Sequence, residues 1–118
     1  MLRKELKRFA DAWNGIVVFF KEGEHAKFHL FFSVFVIAAG FYFKITSAEW
    51  IAIIICIGLV LIAEAFNTAI EMLGDIVHKE IHPQMRKIKD LAAGAVLFAG
   101  IAAAAIGCII FIPHILKL

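Results

Sequence analysis

The sequence carries no strong charge of either sign. Its 12 basic and 10 acidic residues leave a formal net charge of +2, too little to draw a polyanion, so no nucleic-acid partner is expected. Cysteine is scarce: Cys56 and Cys108 are the only two. Both lie within apolar runs, which marks packed thiols rather than a disulfide or a metal framework. There is no G-x-x-x-x-G-K-[ST] loop and no protein-kinase glycine loop, so any nucleotide must be held by other means. His78-Lys79-Glu80-Ile81-His82 is not the zinc-protease H-E-x-x-H, because Glu stands third, and Pro83 should disrupt any helix there. Residues 1–118 show no internal repeat, low-complexity tract or second domain. The N-terminus opens on charges and no small-residue cleavage site follows, so no cleaved signal peptide is expected.

What the chain has in excess is apolar surface. It is 63% hydrophobic with a mean hydropathy of +0.91, against about 45–50% apolar in soluble domains. One small core cannot hide that much surface, so lipid must be the solvent. Three spans emerge. Phe28–Phe43 is uncharged between Lys27 and Lys44; at 1.5 Å per residue it covers roughly 24 Å, short for a bilayer unless Ile45 and Thr46 extend it. Trp50–Leu73 is the second span, and Leu91–Ile112, closed by Pro113, is the third. Ala95, Ala99, Ala103 and Gly107 recur at every fourth position of the third span, a small-residue face suited to close helix packing.

Ahead of the spans, Leu2, Leu6, Phe9, Trp13, Ile16, Val17 and Phe20 recur at helical spacing, with Arg3, Lys4, Lys7 and Arg8 on the other side. Residues 2–20 therefore read as an amphipathic helix on the membrane surface. The expected fold is an all-α membrane protein, a surface helix followed by three transmembrane helices. Basic residues concentrate in the N-terminal segment and in the 74–90 connection (Lys79, Arg86, Lys87, Lys89). The 44–49 turn has only Lys44 and the tail only Lys117. Positive charge stays inside, so the N-terminus and the 74–90 connection should be cytoplasmic.

Glu64, Asn67, Glu71 and Asp75 lie in or just after the second span. Their spacing of i, i+3, i+7 and i+11 puts them on one helical face. Each carboxylate inside a membrane costs roughly 2–4 kcal/mol, so such a stripe marks a functional site facing a bundle interior or a watery cleft. Glu71 would lie about one turn, and Glu64 about three turns, from the cytoplasmic end. A lipid headgroup and a soluble cosubstrate meet at that depth. Lys89 and Asp90 open the third span, where a Lys can serve phosphate and an Asp metal. Glu22, Glu24, His25, Lys27 and His29 form a further polar cluster before the first span, and Glu22 or Glu24 should lie near the cytoplasmic end of the second helix.

Glu64-x-x-Asn67-Thr68-Ala69-Ile70-Glu71-x-x-x-Asp75 and Lys89-Asp90-x-Ala92-Ala93-Gly94-Ala95-Val96 together resemble the small bacterial integral-membrane diacylglycerol kinase family, over nearly the whole chain. His82-Pro83 and Ala92–Val96 look closer to its undecaprenol-kinase branch. The resemblance implies a homotrimer with active sites shared between subunits, phosphorylating a membrane lipid alcohol, undecaprenol or diacylglycerol, with ATP and Mg²⁺ at the inner face of the cell membrane. It implies Glu64 as general base and, with Asn67, as part of the lipid site. It implies Glu71 as a metal ligand, and Asn67, Glu71, Lys89 and Asp90 as nucleotide-binding residues. The family's second metal-binding Glu falls here on Gly23, flanked by Glu22 and Glu24; a one-residue shift is needed, and Glu24 is preferred to Glu22. Two other readings stand beside the kinase: a carboxylate relay for protons or ions, and a packing subunit whose polar stripe locks helices together. Asn67 and Lys89-Asp90 favour the kinase, since a relay needs no phosphate-handling group.

Overall fold

The computed structural model describes residues 1–77 and 82–118, so His78, Lys79, Glu80 and Ile81 lie outside the described residues. The elements are α1 (Leu2–Glu22), α2 (Ala26–Phe43), α3 (Ser47–Val77) and α4 (Pro83–Leu116). α2, α3 and α4 are each long and apolar enough to cross a membrane. The expected all-α architecture is the one observed.

α1 buries Phe19 alone and leaves Leu2, Leu6, Phe9 and Trp13 exposed. With its basic row opposite, that stripe suits the plane of a membrane interface. α1 runs two residues past the expected end, to Glu22, and Gly23 stops it by donating its N–H to the Phe19 carbonyl at 2.7 Å. A Cβ at position 23 would lie 2.5 Å from that oxygen, so glycine is required for the chain to break there.

The first span is not lengthened by Ile45 and Thr46. α2 ends at Phe43, where Lys44 takes a left-handed conformation with φ 51°. Ile45 N–H bonds the Gly40 carbonyl and Lys44 N–H the Phe41 carbonyl, which satisfies the orphan carbonyls of the helix end. Thr46 and Glu49 then cap α3 reciprocally: Glu49 N–H donates to Thr46 Oγ1 at 3.2 Å and Thr46 N–H to Glu49 Oε1 at 2.9 Å.

α3 reaches Val77 rather than stopping near Leu73. Gly74 is buried, and a Cβ there would lie 2.8 Å from both Met85 Sδ and Lys89 Cε. The facing helix therefore packs on the last turns of α3 and carries them past the apolar stretch. α4 starts at Pro83, not Leu91. Pro83 begins this helix instead of disrupting one, because the first helical position has no donor to lose. His82 caps it, its Nδ1 accepting from Gln84 N–H at 3.2 Å. Lys89 and Asp90 accordingly stand almost two turns inside α4, on a stem outside its apolar part. Pro113 does not close the helix, which runs to Leu116. His114 beyond it approaches Glu49 at 3.4 Å and packs against the Phe43 ring, holding the last turn in place.

α3 and α4 pack as an antiparallel pair. Ile45, Ile53 and Ile110 form a small core near the 44–46 turn, joined by Trp50, Phe43 and Phe111. Gly40 admits the Trp50 ring, whose atoms would lie 2.7 Å from a Cβ at that position. Elsewhere α2 stands off, leaving an apolar cleft of about 730 Å³ between α2, α3 and α4. The small-residue face of α4 is divided accordingly. Ala99 is buried, Ala103 and Gly107 line the cleft, and Ala95 is exposed. The described residues form a slab, 53 × 44 × 20 Å.

Candidate functional site

The polar stripe of α3 faces a second, smaller pocket of about 180 Å³. Glu64, Asn67, Thr68 and Glu71 line it from α3, Ala93 and Val96 from α4, and Glu24 and His25 from the connection after Gly23. Helical spacing explains the α3 set: these positions fall within one face, and Ala93 and Val96 share a face of α4. The break at Gly23 brings Glu24 to the pocket. Glu22, on the last turn of α1, is exposed and does not line it.

Glu64 is the most deeply set acid, 3% exposed. Among the described residues its Oε2 is buried without a hydrogen-bond partner, as is Asn67 Oδ1. His29 Nε2 of α2 lies 3.8 Å from Glu64 Oε2, beyond hydrogen-bond length. Thr68 Oγ1 donates to the Glu64 backbone carbonyl at 3.0 Å. One turn beyond Glu71 on the same stripe, Asp75 Oδ1 accepts from Lys89 Nζ at 2.6 Å. This pair stands at the rim, on the turns next to the pocket-lining Glu71 and Ala93. Lys89 is thus turned to Asp75 rather than into the pocket, and Asp90 is exposed beside it.

Of the residues singled out from sequence, Glu24, Glu64, Asn67 and Glu71 come together; Lys89 and Asp90 stand outside. His25 and Thr68 were not singled out. Thr68 carried a signal, lying one turn after Glu64 on the same face. His25 had only its membership of the polar cluster.

The pocket offers oxygen donors, two of them buried and unpartnered. That donor set fits a hard cation such as Mg²⁺, which takes one or two carboxylates and completes its shell with phosphate oxygens and water. Among the described residues no three His, Cys, Asp or Glu side chains converge to cage an ion alone. A cation here would depend on a phosphate ligand for the rest of its shell.

Three membrane-spanning helices around a buried cluster of carboxylate and amide oxygens define a small multi-pass membrane protein built on an acidic site. The prokaryotic diacylglycerol kinase family matches residues 10–111, and the chain belongs to it. It is therefore a lipid kinase. Its sequence is 32% identical to the undecaprenol kinase of Bacillus subtilis over 114 residues, covering 97% of this chain and 93% of that one. It is 34% identical to the diacylglycerol kinase of Synechocystis sp. over 114 residues, covering 96% of this chain and 65% of that one. Membership decides for the enzyme over the packing-subunit and ion-relay readings.

Proposed function

We propose that the chain, as one domain over residues 1–118, transfers the γ-phosphoryl group of ATP to the hydroxyl of a membrane lipid alcohol, undecaprenol or diacylglycerol. The reaction takes place at the cytoplasmic interface, with the N-terminus inside, and requires Mg²⁺. The observation that carries this reading is Glu64: a carboxylate 3% exposed, with an unpartnered oxygen, in a pocket shared with Glu24, Asn67 and Glu71. A membrane protein keeps such a group when the reaction uses it.

In this reading Glu64 accepts the proton of the lipid hydroxyl as its oxygen attacks the γ-phosphorus. The bond from that phosphorus to the bridging oxygen breaks, and ADP leaves with the electron pair. Phosphoryl transfer needs mainly positioning and charge neutralisation. Glu71 and Glu24 hold Mg²⁺, which when bound neutralises charge on the phosphate oxygens. Asn67 orients lipid and nucleotide from between them. Lys89, released from Asp75, meets the phosphates at the pocket rim, and Asp90 stands beside it. An exposed ion pair like Lys89–Asp75 is worth only about 0–1 kcal/mol, so a polyphosphate can take the lysine.

A homotrimer supports the site. A slab 20 Å thick shields its polar stripe poorly, and the cleft beside Ala103 and Gly107, with exposed Ala95, leaves small-residue surface for neighbouring helices. The test is purified protein in mixed micelles given γ-labelled ATP and each alcohol in turn. Label should enter the lipid only with Mg²⁺ present. Absence of labelled lipid with both alcohols would refute the assignment.

A further inference from the structure

The apolar cleft and the polar pocket adjoin at one pair of side chains. His29 lines the cleft, together with Phe28, Phe32 and Ser33, and Glu64 lines the pocket. They face each other at 3.8 Å between Nε2 and Oε2. That distance is too long for a hydrogen bond between them, yet one oxygen atom standing to the side of the pair can lie at ordinary hydrogen-bond length of about 2.8 Å from each and bridge them. Glu64 Oε2 is buried and lacks a donor, which is what a hydroxyl supplies.

His29 sits on the first turn of α2, in an aromatic setting. Its ring stands edge-on to Phe28 with centroids 5.6 Å apart, and Ser33 Oγ donates to its backbone carbonyl at 2.7 Å. Its side chain is 21% exposed, so it is neither a surface histidine nor sealed in a core.

The geometry points to His29 as the residue that seats the lipid hydroxyl: its Nε2–H donates to the hydroxyl oxygen while the hydroxyl proton is directed at Glu64 Oε2. The alcohol then enters from the apolar side and its reactive oxygen comes to rest between the two side chains. As the oxygen bonds to phosphorus its proton passes to Glu64, and His29 keeps its own. This role rests on Glu64 as the base.

The test compares His29→Phe, His29→Gln and His29→Asn in mixed micelles, reading kcat/KM for the lipid alcohol, KM for ATP and thermal unfolding. A Gln amide nitrogen reaches the place of Nε2 and an Asn amide does not. Loss of one hydrogen bond to the reacting group should lower lipid kcat/KM about 10- to 100-fold in His29→Phe and His29→Asn. His29→Gln should recover a large part of it, and KM for ATP should stay within about twofold in all three. Should His29→Phe fail to assemble, the ordering of Gln above Asn still carries the proposal. Equal values for Gln and Asn, or losses that track a falling unfolding temperature, would overturn it and leave His29 a packing residue. Glu64→Gln, assayed alongside, separates the two claims. If it turns over normally, the base assignment fails. If it is dead while His29→Phe keeps its lipid kcat/KM, the hydroxyl seat alone fails.

Discussion

Replacing Glu64 by Gln should separate activity from stability in opposite directions. The amide keeps the size of the side chain, so the pocket between α3, α4 and the Glu24 connection stays filled. It cannot take a proton from the substrate. Loss of a general base lowers the rate about 10²–10⁴-fold, or roughly 2.7–5.5 kcal/mol of transition-state stabilisation. Stability should move the other way. Glu64 is 3% exposed, with Oε2 unpartnered and His29 at 3.8 Å. An orphaned buried polar atom costs about 1–3 kcal/mol, more when charged, so a neutral amide should stabilise the fold by about 1 kcal/mol. Labelled-ATP turnover in micelles measures the first effect, and thermal unfolding in the same detergent the second. Turnover within threefold of the parent would refute the role of Glu64. A loss of activity matched by an equal loss of stability would refute the account of the buried, unused oxygen.

Glu71→Gln should raise the Mg²⁺ concentration needed for half-maximal activity, with excess Mg²⁺ restoring part of the rate; an unchanged Mg²⁺ titration would place the ion elsewhere. The same titration should move strongly for Glu24→Gln, which alters the pocket, and little for Glu22→Gln, which does not line it. Glu24 and Glu64 line one pocket of one chain, so mixing Glu64→Gln chains with Glu24→Gln chains should restore no activity; partial recovery in mixed assemblies would show that sites form between subunits. Gly40→Ala should destabilise the fold by about 1–3 kcal/mol, since the new Cβ would lie 2.7 Å from a Trp50 ring that cannot bend away; an unfolding temperature equal to the parent's would contradict that packing.

The number, order and class of helices were legible because lipid demands long apolar runs, and the stripe of Glu64, Asn67 and Glu71 because helical spacing fixes one face. Helix ends were less legible. Pro83 looked like an interruption, since a proline's effect depends on whether the helix begins before it or at it. The continuation of α3 through Gly74 and Asp75 depends on Met85 and Lys89 of another helix, which no local pattern in α3 reveals. Register does not separate Glu24 from Glu22, since each lies one residue from Gly23. The position of Glu24 at the pocket follows from the break at Gly23, a contact with the Phe19 carbonyl. The orientation of Lys89 toward Asp75 and the approach of His29 to Glu64 join residues far apart in the chain, and spacing carries no information about them.

The helices differ in length in a way that matters for where this enzyme works. α2, with 18 residues, spans about 27 Å, whereas α3, with 31, spans about 46 Å. The two are tied at the 44–46 turn, so the surplus of α3 lies wholly at the other end. Bilayer thickness therefore acts as a gauge. In a thin membrane the rim pair Asp75–Lys89 stands clear of the headgroups and Glu64 sits near their level. In a thicker one the same residues sink toward the acyl chains, or the bundle tilts, at fractions of a kcal/mol per ångström. Host lipid length should thus tune turnover without touching a single side chain.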